Sequence, residues 1–426
     1  MWISRNKSLA ILVVVAFLST SAALTGSSDK LIVHEWGTFL SVQGSDGVTQ
    51  GGMVDSEENL PAFVQERTLN GRSRANLFLK METPVTYFYV DQPRKVHVRV
   101  GMTKGLLTHW FPSVVGFGPA VNAKDPGADS YLDWGQTELI PDRPSQRQRL
   151  PGSLPDSAAA SLREVDNDNT WKFARETDAA FVKVAKKHEL EKFLFYRGVG
   201  SFELPLQVVA RGDNGASAQL TISNRGKDPL QGIFAIHVDR QTIRCRALPD
   251  LLAGASQSLD PDVEINPAVD LPQGVEDAKR HVASTLVAAG LYSKEAQAMV
   301  NTWEQSYFRS EGLRLLYILP RATVDAVIPL QVQPAPDHLV RVMVGRVEVL
   351  TPAKERQIER AVADLDAAEP LVKKTAQAAL NRLGRLREPV LRRLVTMTTD
   401  PGIRSRAEGL IKDATYRAQQ KRLTEK

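Results

Sequence analysis

A chain of 426 residues is long enough to form two or three domains, each with its own hydrophobic core. The apolar content of 42% and the charged content of 24% exclude a disordered or fibrous protein and are typical of a soluble globular one. The single cysteine, Cys245, excludes an intramolecular disulfide framework and a four-cysteine zinc site.

The net charge of +5 is distributed unevenly along the chain. Residues 354–426 contain 17 Lys and Arg against 10 Asp and Glu, whereas residues 1–353 contain 37 against 39. The basic character therefore belongs to the C-terminal part. We expect these charges to coat a solvated surface, to meet an acidic partner or to approach anionic lipid.

The N-terminus has the pattern of an export signal. Arg5 and Lys7 precede an uncharged, apolar run, and small residues at 21–23 offer a signal-peptidase site near Ala23. Because the apolar run is short for a membrane span, we predict a signal peptide over residues 1–23 and a periplasmic or extracellular mature protein. An uncleaved N-terminal anchor is the alternative.

The stretch 31–42 predicts a strand that contains three candidate site residues. Alternation places His34 and Trp36 on one face, where they are candidate binding residues, and Glu35 on the other face among apolar neighbours. An apolar environment raises the pKa of a carboxyl group and can make it a general acid. The alternative, which we favour, is that Glu35 forms an ion pair with an arginine.

Two helices and a sheet are predicted in the second half of the chain. A helix over residues 275–289 and another from Ser293 have apolar residues at steps of three and four, and the short turn between them predicts a helical hairpin. Strand-like runs at 313–319, 324–332 and 339–350 should form a mainly antiparallel sheet under this hairpin. In the last run, Arg346 and Glu348 share one face and should form a buried ion pair.

The segment after Pro352 is predicted to be helical. Two of its helices have apolar residues at matching positions 31 residues apart, and each begins behind a proline, Pro370 or Pro401. Residues 370–384 resemble the second helix of short HEAT-like repeats, and residues 401–414 resemble a weaker second copy. The resemblance implies a small helical cap that contacts other proteins. Nucleic-acid binding would rest on the basic C-terminal helices alone, and we predict no nucleic-acid partner for an exported protein.

Four acids are candidates for a hydrolase that uses two carboxylates. They are Glu35, Glu82, Glu304 and Glu311. Glu304 and Glu311 lie seven residues apart on one predicted helix, beside the candidate binding residue Trp303. The edge of an ordinary amphipathic helix has the same composition, and this alternative is favoured.

The sequence contains no motif of high chemical specificity. The seven histidines lack metal-binding spacings, so no metal ligand is predicted, and no cofactor can be assigned. Nucleophile elbows, phosphate-binding loops and dinucleotide fingerprints are absent from the sequence.

The segment Val33-His-Glu-Trp-Gly-Thr-Phe39 resembles the start of a group of exported bacterial proteins of no assigned activity. The likeness extends through residues 303–308, 311–312 and 315–317. It implies a shared fold and an envelope location, and it supplies no activity, cofactor or catalytic residue.

We therefore predict an α+β protein with strand-rich, sandwich-like N-terminal and middle regions, a helical hairpin on a mainly antiparallel sheet, and a C-terminal HEAT-like helical cap. The predicted regions after the signal peptide are 24–180, 181–270, 271–351 and 352–426. The predicted function is a binding or assembly role in the cell envelope, with a protein or an envelope polymer as partner. Membrane contact would occur only through an uncleaved signal or the basic C-terminal surface. The alternative is an extracytoplasmic hydrolase of a polysaccharide or other envelope polymer, with or without metal assistance.

Overall fold

The computed structural model describes residues 30–54, 60–67, 74–119, 130–142, 162–212, 218–261, 264–265 and 267–424, with side chains described up to residue 413. The predicted signal peptide lies outside these ranges. The chain has a mixed α+β fold with large multi-stranded sheets and with helices concentrated towards the C-terminus. The predicted fold class is thus confirmed.

The strands are β1 (Ile32–Gln43), β2 (Gln65–Glu66), β3 (Leu79–Tyr89), β4 (Arg94–Met102), β5 (Gly105–Phe111), β6 (Gly116–Gly118), β7 (Ser130–Ile140), β8 (Phe181–Val184), β9 (Leu190–Glu191), β10 (Leu194–Gly200), β11 (Leu206–Arg211), β12 (Gln219–Asn224), β13 (Gln231–Asp239), β14 (Thr242–Ala247), β15 (Ser256–Leu259), β16 (Val269–Asp270), β17 (Gly312–Ile318), β18 (Leu330–Gln333) and β19 (His338–Val349).

The α-helices are α1 (Trp171–Ala174), α2 (Leu271–Ala288), α3 (Ser293–Trp303), α4 (Arg321–Val327), α5 (Pro352–Ala363), α6 (Pro370–Asn381), α7 (Arg387–Met397) and α8 (Pro401–Thr424). A π-helix, Glu304–Arg309, continues from α3, and a short 3-10 helix, Gly384–Leu386, precedes α7.

A ten-stranded sheet forms the centre of the molecule, in the order β16-β14-β13-β17-β19-β1-β3-β10-β5-β2. All neighbouring strands in it are antiparallel except β1 and β19, which are parallel. This sheet takes strands from the predicted regions 24–180, 181–270 and 271–351, so backbone hydrogen bonds cross the proposed boundaries at 180 and 270. β19 and β1 join the early and late parts of the chain.

Successive side chains of β1 point to opposite faces of the central sheet and pack in different cores. Val33 and Phe39 face a core formed with the smaller sheets β11-β12-β15 and β18-β4-β7-β8-β9. Trp36 faces a second core under α2 and α3, and Leu40 faces a third core under the C-terminal helices. The central sheet therefore has sheets on one face and helices on the other, and the predicted hairpin of α2 and α3 is confirmed.

The prediction of a strand over residues 324–332 was wrong. Residues Arg321–Val327 form helix α4, and only Leu330–Gln333 form a strand, which pairs with β4 outside the central sheet. The buried residues Val324 and Ile328 are four apart, which is the helical period. The continuous apolar character of the run concealed this period.

Helices α5 to α8 form the C-terminal cap, residues 352–424, on the helical face of the central sheet. Leu40 and Val42 of β1 share a buried cluster with Leu380, Leu391 and other apolar side chains of the cap. Polar contacts add to this interface, because Arg385 of the cap donates to Glu82 of β3 at 2.6 Å. The cap is thus joined to the sheet by both apolar packing and ion pairs.

Candidate functional site

Glu35 is fully buried on the sheet-covered face of β1. The Arg341 Nε atom, from the neighbouring strand β19, donates to Glu35 Oε2 at 2.6 Å, and the Tyr196 hydroxyl donates to Glu35 Oε1. Arg341 also contacts Asp325 at 2.7 Å. This is the ion-pair arrangement that the sequence analysis favoured over a general acid.

Glu82 lies on the opposite, helical face of the sheet. Both of its carboxylate oxygens accept from Arg385 Nη1 of the cap, at 2.6 and 2.8 Å. Burial raises the pKa of Glu82, but the positive charges of Arg385 and Lys80 outweigh burial and lower this pKa to about 2. Glu82 therefore stays ionised, and the sheet separates it from Glu35.

Glu304 and Glu311 do not share a helix, because the π-helix ends at Arg309. Glu304 accepts from Lys279 Nζ at 2.7 Å and from Arg309 Nε at 2.8 Å. Burial raises the pKa of Glu304, and the hydrogen bonds from these two cations reverse the effect and lower it. Glu311 is exposed. No ion pair or hydrogen bond joins any two of the four candidate acids in the described part of the chain.

The predicted binding residues are all buried. Trp36 lies in the core under α2 and α3, and Trp303 stacks on Tyr307 with ring centroids 4.4 Å apart. His34 Nδ1 is hydrogen-bonded to Glu295 Oε2 at 2.8 Å. These side chains stabilise the packing of α3 on the sheet and do not present a binding surface.

The described residues contain no group of three or more His, Cys, Asp and Glu side chains that could hold a metal ion. Burial raises the pKa of the Cys245 thiol to about 12, so this thiol is protonated at neutral pH and a poor nucleophile. Neither a metal centre nor a reactive cysteine is therefore assembled from these residues.

A cleft of about 310 Å³ lies where the central sheet meets the cap. Its walls are the end of β13, the start of β17, the end of β19, helices α5 and α6, and the start of α7. We call it the sheet–cap cleft. Its volume is at the lower end of the range of small-molecule and peptide-anchor sites.

Three cations line the sheet–cap cleft. Arg240 comes from the β13–β14 turn, Lys354 from the first turn of α5, and Arg382 from the end of α6. Their side chains make no ion pair or hydrogen bond with any residue that the structure describes. Burial lowers the pKa of Lys354, and Glu311 and Asp239 oppose this effect while Arg382 adds to it. The cleft thus holds a half-buried ammonium group with a second cation nearby.

The carboxylate of Glu348 lines the cleft, and two arginines neutralise its charge. Glu348 accepts from Arg314 Nε at 2.8 Å and from Arg346 Nε at 2.6 Å, which confirms the predicted pair of Arg346 and Glu348. Burial raises the pKa of Glu348, and the two arginines reverse the effect and lower it. The Arg346 guanidinium lies 4.1 Å from the centre of the Tyr307 ring. Glu348 is therefore satisfied without using Lys354 or Arg382.

Arg240, Lys354 and Arg382 were not predicted as site residues from the sequence. The charge excess after residue 353 indicated the right part of the chain but not which cationic side chains make no ion pair or hydrogen bond with the described residues. Arg240 is 114 positions before Lys354 in the chain, and only the pairing of β13 with β17 and of β17 with β19 brings its turn to the cap.

No family model matches the chain, and no curated protein matches it. Among solved structures, it is similar to the Mu homology domain of Fcho1 from Danio rerio with a bound Eps15 peptide, at 7% identity and a TM-score of 0.29, over 76% of this chain and 95% of that chain. It is also similar to the yeast delta-COP-I mu-homology domain complexed with a Dsl1 WxWxV peptide, at 8% identity and a TM-score of 0.25, over 75% and 96%. These TM-scores are too low to support a common arrangement of the whole chain.

Among the helices in the described ranges, none combines the length and apolar character needed to cross a membrane.

Proposed function

We propose that the protein is an exported cell-envelope protein with a binding or assembly role, and that it binds an anionic group of a protein or envelope polymer in the sheet–cap cleft. The observation that carries this proposal is the set of cations Arg240, Lys354 and Arg382, whose side chains line one cleft and make no ion pair or hydrogen bond with the described residues. The export part of the proposal is supported by the N-terminal sequence pattern.

The electrostatics of the cleft favour an anionic ligand. Lys354 is half-buried and has lost part of its hydration, which is reflected in its lowered pKa. An anion between Lys354 and Arg382 would replace the lost hydration and reduce the repulsion between the two cations. Hydrogen bonds from charged donors to an anion are stronger than those between neutral groups.

The alternative of a two-carboxylate hydrolase has less support. Such an enzyme places its two carboxyl groups roughly 5 to 10 Å apart across an open cleft. Glu35 and Glu82 lie on opposite faces of a sheet, and Glu35, Glu82 and Glu304 each bind a cation. Acids neutralised in this way stabilise the fold, so a binding role is the better explanation.

The proposal is tested by measuring the melting temperature of the mature protein with peptidoglycan fragments, neutral chitooligosaccharides, poly-L-glutamate and poly-L-lysine. Ligands that bind the native state raise the melting temperature by mass action. We expect a rise with poly-L-glutamate or acidic peptidoglycan fragments, none with poly-L-lysine, and loss of the rise in the double variant Lys354→Glu, Arg382→Glu.

The matched control is Arg211→Glu. Arg211 is exposed at the end of β11 and, like the cleft cations, makes no ion pair within the described ranges. This variant should keep the rise. A rise that survives in the cleft double variant, or the absence of a rise with every anionic probe, would contradict the proposal.

A further inference from the structure

The sheet–cap cleft continues into a second depression on the cap. This depression lies between α5 and α6, has a volume of about 570 Å³, and shares Gln357, Ala361, Ala379 and Arg382 with the cleft. We call it the cap groove. Because the two depressions share wall residues, a ligand longer than the cleft could extend along the cap without leaving the surface.

The arginines without partners are concentrated in these two depressions. Across the described ranges, the arginines whose side chains make no hydrogen bond, ion pair or ring contact are Arg211, Arg240, Arg356, Arg360 and Arg382. All of them except Arg211 line the cleft or the cap groove.

Several other charges on the cap are paired. Arg392 donates to Glu388 at 2.8 Å and Arg393 to Glu355 at 2.8 Å, for example. Lysines without a partner in the described ranges, such as Lys373 and Lys374, lie outside the two depressions, whereas four of the five arginines without a partner there line these adjoining depressions. Arg356 and Arg360 are four residues apart and therefore lie on one side of α5.

The walls favour a ligand that is not uniformly anionic. Asp239 and Glu311 line the cleft, and Asp364 lines the cap groove, so acidic groups are present beside the cations. These acids would repel a polymer with one negative charge on every repeat. A chain whose acidic groups are separated by neutral ones would be repelled less.

The walls also provide apolar contacts. Leu383, Leu386 and Val390 line the cleft. The side chains of Ala353, Ala376 and Ala379 line the cap groove and are too short to fill it. A peptide has both an apolar side chain that can pack in the cleft and a main chain that is narrow enough for the cap groove.

We propose that the cleft and the cap groove together bind an extended segment of a partner protein, with acidic side chains opposite the unpaired cations and one apolar side chain in the cleft. The inference rests on the proposed function of the cleft and adds the chemistry of the partner. The acidic side chains would contact Arg356 and Arg360 in the groove and Lys354 and Arg382 in the cleft.

The test uses fluorescence anisotropy with the full mature protein and a fluorescein-labelled peptide of Glu, Ala and Leu. The same peptide with Gln in place of Glu is the control ligand. The double variant Arg356→Glu, Arg360→Glu removes two exposed ion pairs with the peptide and adds repulsion, so it should weaken binding roughly tenfold. Arg211→Glu should leave the affinity unchanged, and added salt should weaken binding of the Glu peptide more than that of the Gln peptide.

Three results would overturn the inference. The first is equal affinity for the Glu and Gln peptides. The second is displacement of the labelled peptide by polyphosphate at lower concentration than by the unlabelled peptide, which would indicate a uniformly anionic polymer. The third is a loss of binding in the Lys354→Glu, Arg382→Glu variant with none in the Arg356→Glu, Arg360→Glu variant, which would leave the cleft proposal intact and remove only the groove.

Discussion

Glu82 is a buried carboxylate close to the Tyr307 side chain. Catalytic acids are often found in such surroundings, so Glu82 was a candidate catalytic residue. Its carboxylate instead accepts both hydrogen bonds from Arg385 of the cap, and its pKa is lowered to about 2. A general acid needs a raised pKa, so this environment favours an anchor between sheet and cap.

The variant Glu82→Gln should be less stable than the parent at neutral pH, and the difference should decrease in acid. The folded-state pKa of about 2 is below the ordinary 4.5, so the stability that ionised Glu82 contributes is fully present above pH 4.5 and is lost as the pH falls through about 2. A pKa shift of this size corresponds to about 3 kcal/mol in the free energy of unfolding. Urea unfolding followed by circular dichroism at several pH values measures it.

The control for this prediction is Asp178→Asn. Asp178 pairs with Lys294 at 2.5 Å, but its side chain is 73% exposed, so its loss should change the free energy of unfolding by less than about 1 kcal/mol. Equal effects of the two variants at neutral pH would disprove the anchoring role of Glu82. A difference that stays constant down to pH 2 would disprove it as well.

The sequence predicted individual residues unevenly. The pairing of Glu35 with an arginine and of Glu348 with Arg346 followed from charged residues on apolar strand faces, which require a counter-ion. The cleft cations could not be predicted in this way. They are distinguished by making no hydrogen bond or close ion pair with the side chains that the structure describes, and this depends on which distant segments the fold brings together.

At the level of elements, alternation was informative where a strand has two different faces. It correctly placed Trp36 and Glu35 on opposite faces of β1, and the structure shows Trp36 towards the helices and Glu35 towards the smaller sheets. It failed for residues 324–332, where the end of helix α4 and most of strand β18 were predicted as one strand. The hairpin of α2 and α3 was predictable because both helices have a clear apolar stripe and a short turn between them.

A close approach within the central sheet provides a test of these elements. Gly345 of β19 pairs with both Phe39 and Tyr317, and a Cβ atom at Gly345 would lie 2.2 Å from the Tyr317 ring. Gly345→Ala should therefore lower the free energy of unfolding by about 1 to 3 kcal/mol through overpacking. Thermal unfolding of the variant measures this effect.

The effect should depend on Tyr317. In a Tyr317→Leu background, Gly345→Ala should lower the free energy of unfolding by less, because the Tyr317 ring that the added Cβ would contact is absent. Gly409→Ala is the control, since a Cβ at this exposed helical position meets nothing within 4 Å. It should be neutral or raise stability by roughly 0.5 to 1 kcal/mol. Identical costs of Gly345→Ala in both backgrounds would contradict the packing that we describe.

At the level of the whole molecule, the cap and the sheet share one interface with apolar and charged contacts. Leu40 and Val42 pack with cap side chains, and Glu82 and Glu388 accept from arginines across the boundary. The two parts should therefore unfold together, and the walls of the cleft should keep a fixed separation. A cleft whose walls are fixed in advance loses less entropy when it binds.

Leu391→Ala tests this cooperativity. Leu391 is fully buried in the cluster shared by cap and sheet, and its truncation should lower the free energy of unfolding by about 2 to 5 kcal/mol. All six tryptophans precede the cap in the sequence, so tryptophan fluorescence reports on the rest of the molecule. The variant should shift the fluorescence and the helical circular dichroism signals to the same lower urea concentration. Early loss of helix with unchanged fluorescence would show that the cap unfolds independently.

The most direct measurement of the central claim is hydrogen–deuterium exchange of the full mature protein with and without poly-L-glutamate. Binding in the cleft predicts slower exchange in α5, in residues 379–390 and in the turn at residues 239–240. It predicts no change around His34 and Glu295, which lie in a separate buried cluster. Protection confined to that cluster or to the smaller sheets, or no protection at any segment, would contradict the assignment of the sheet–cap cleft as the binding site.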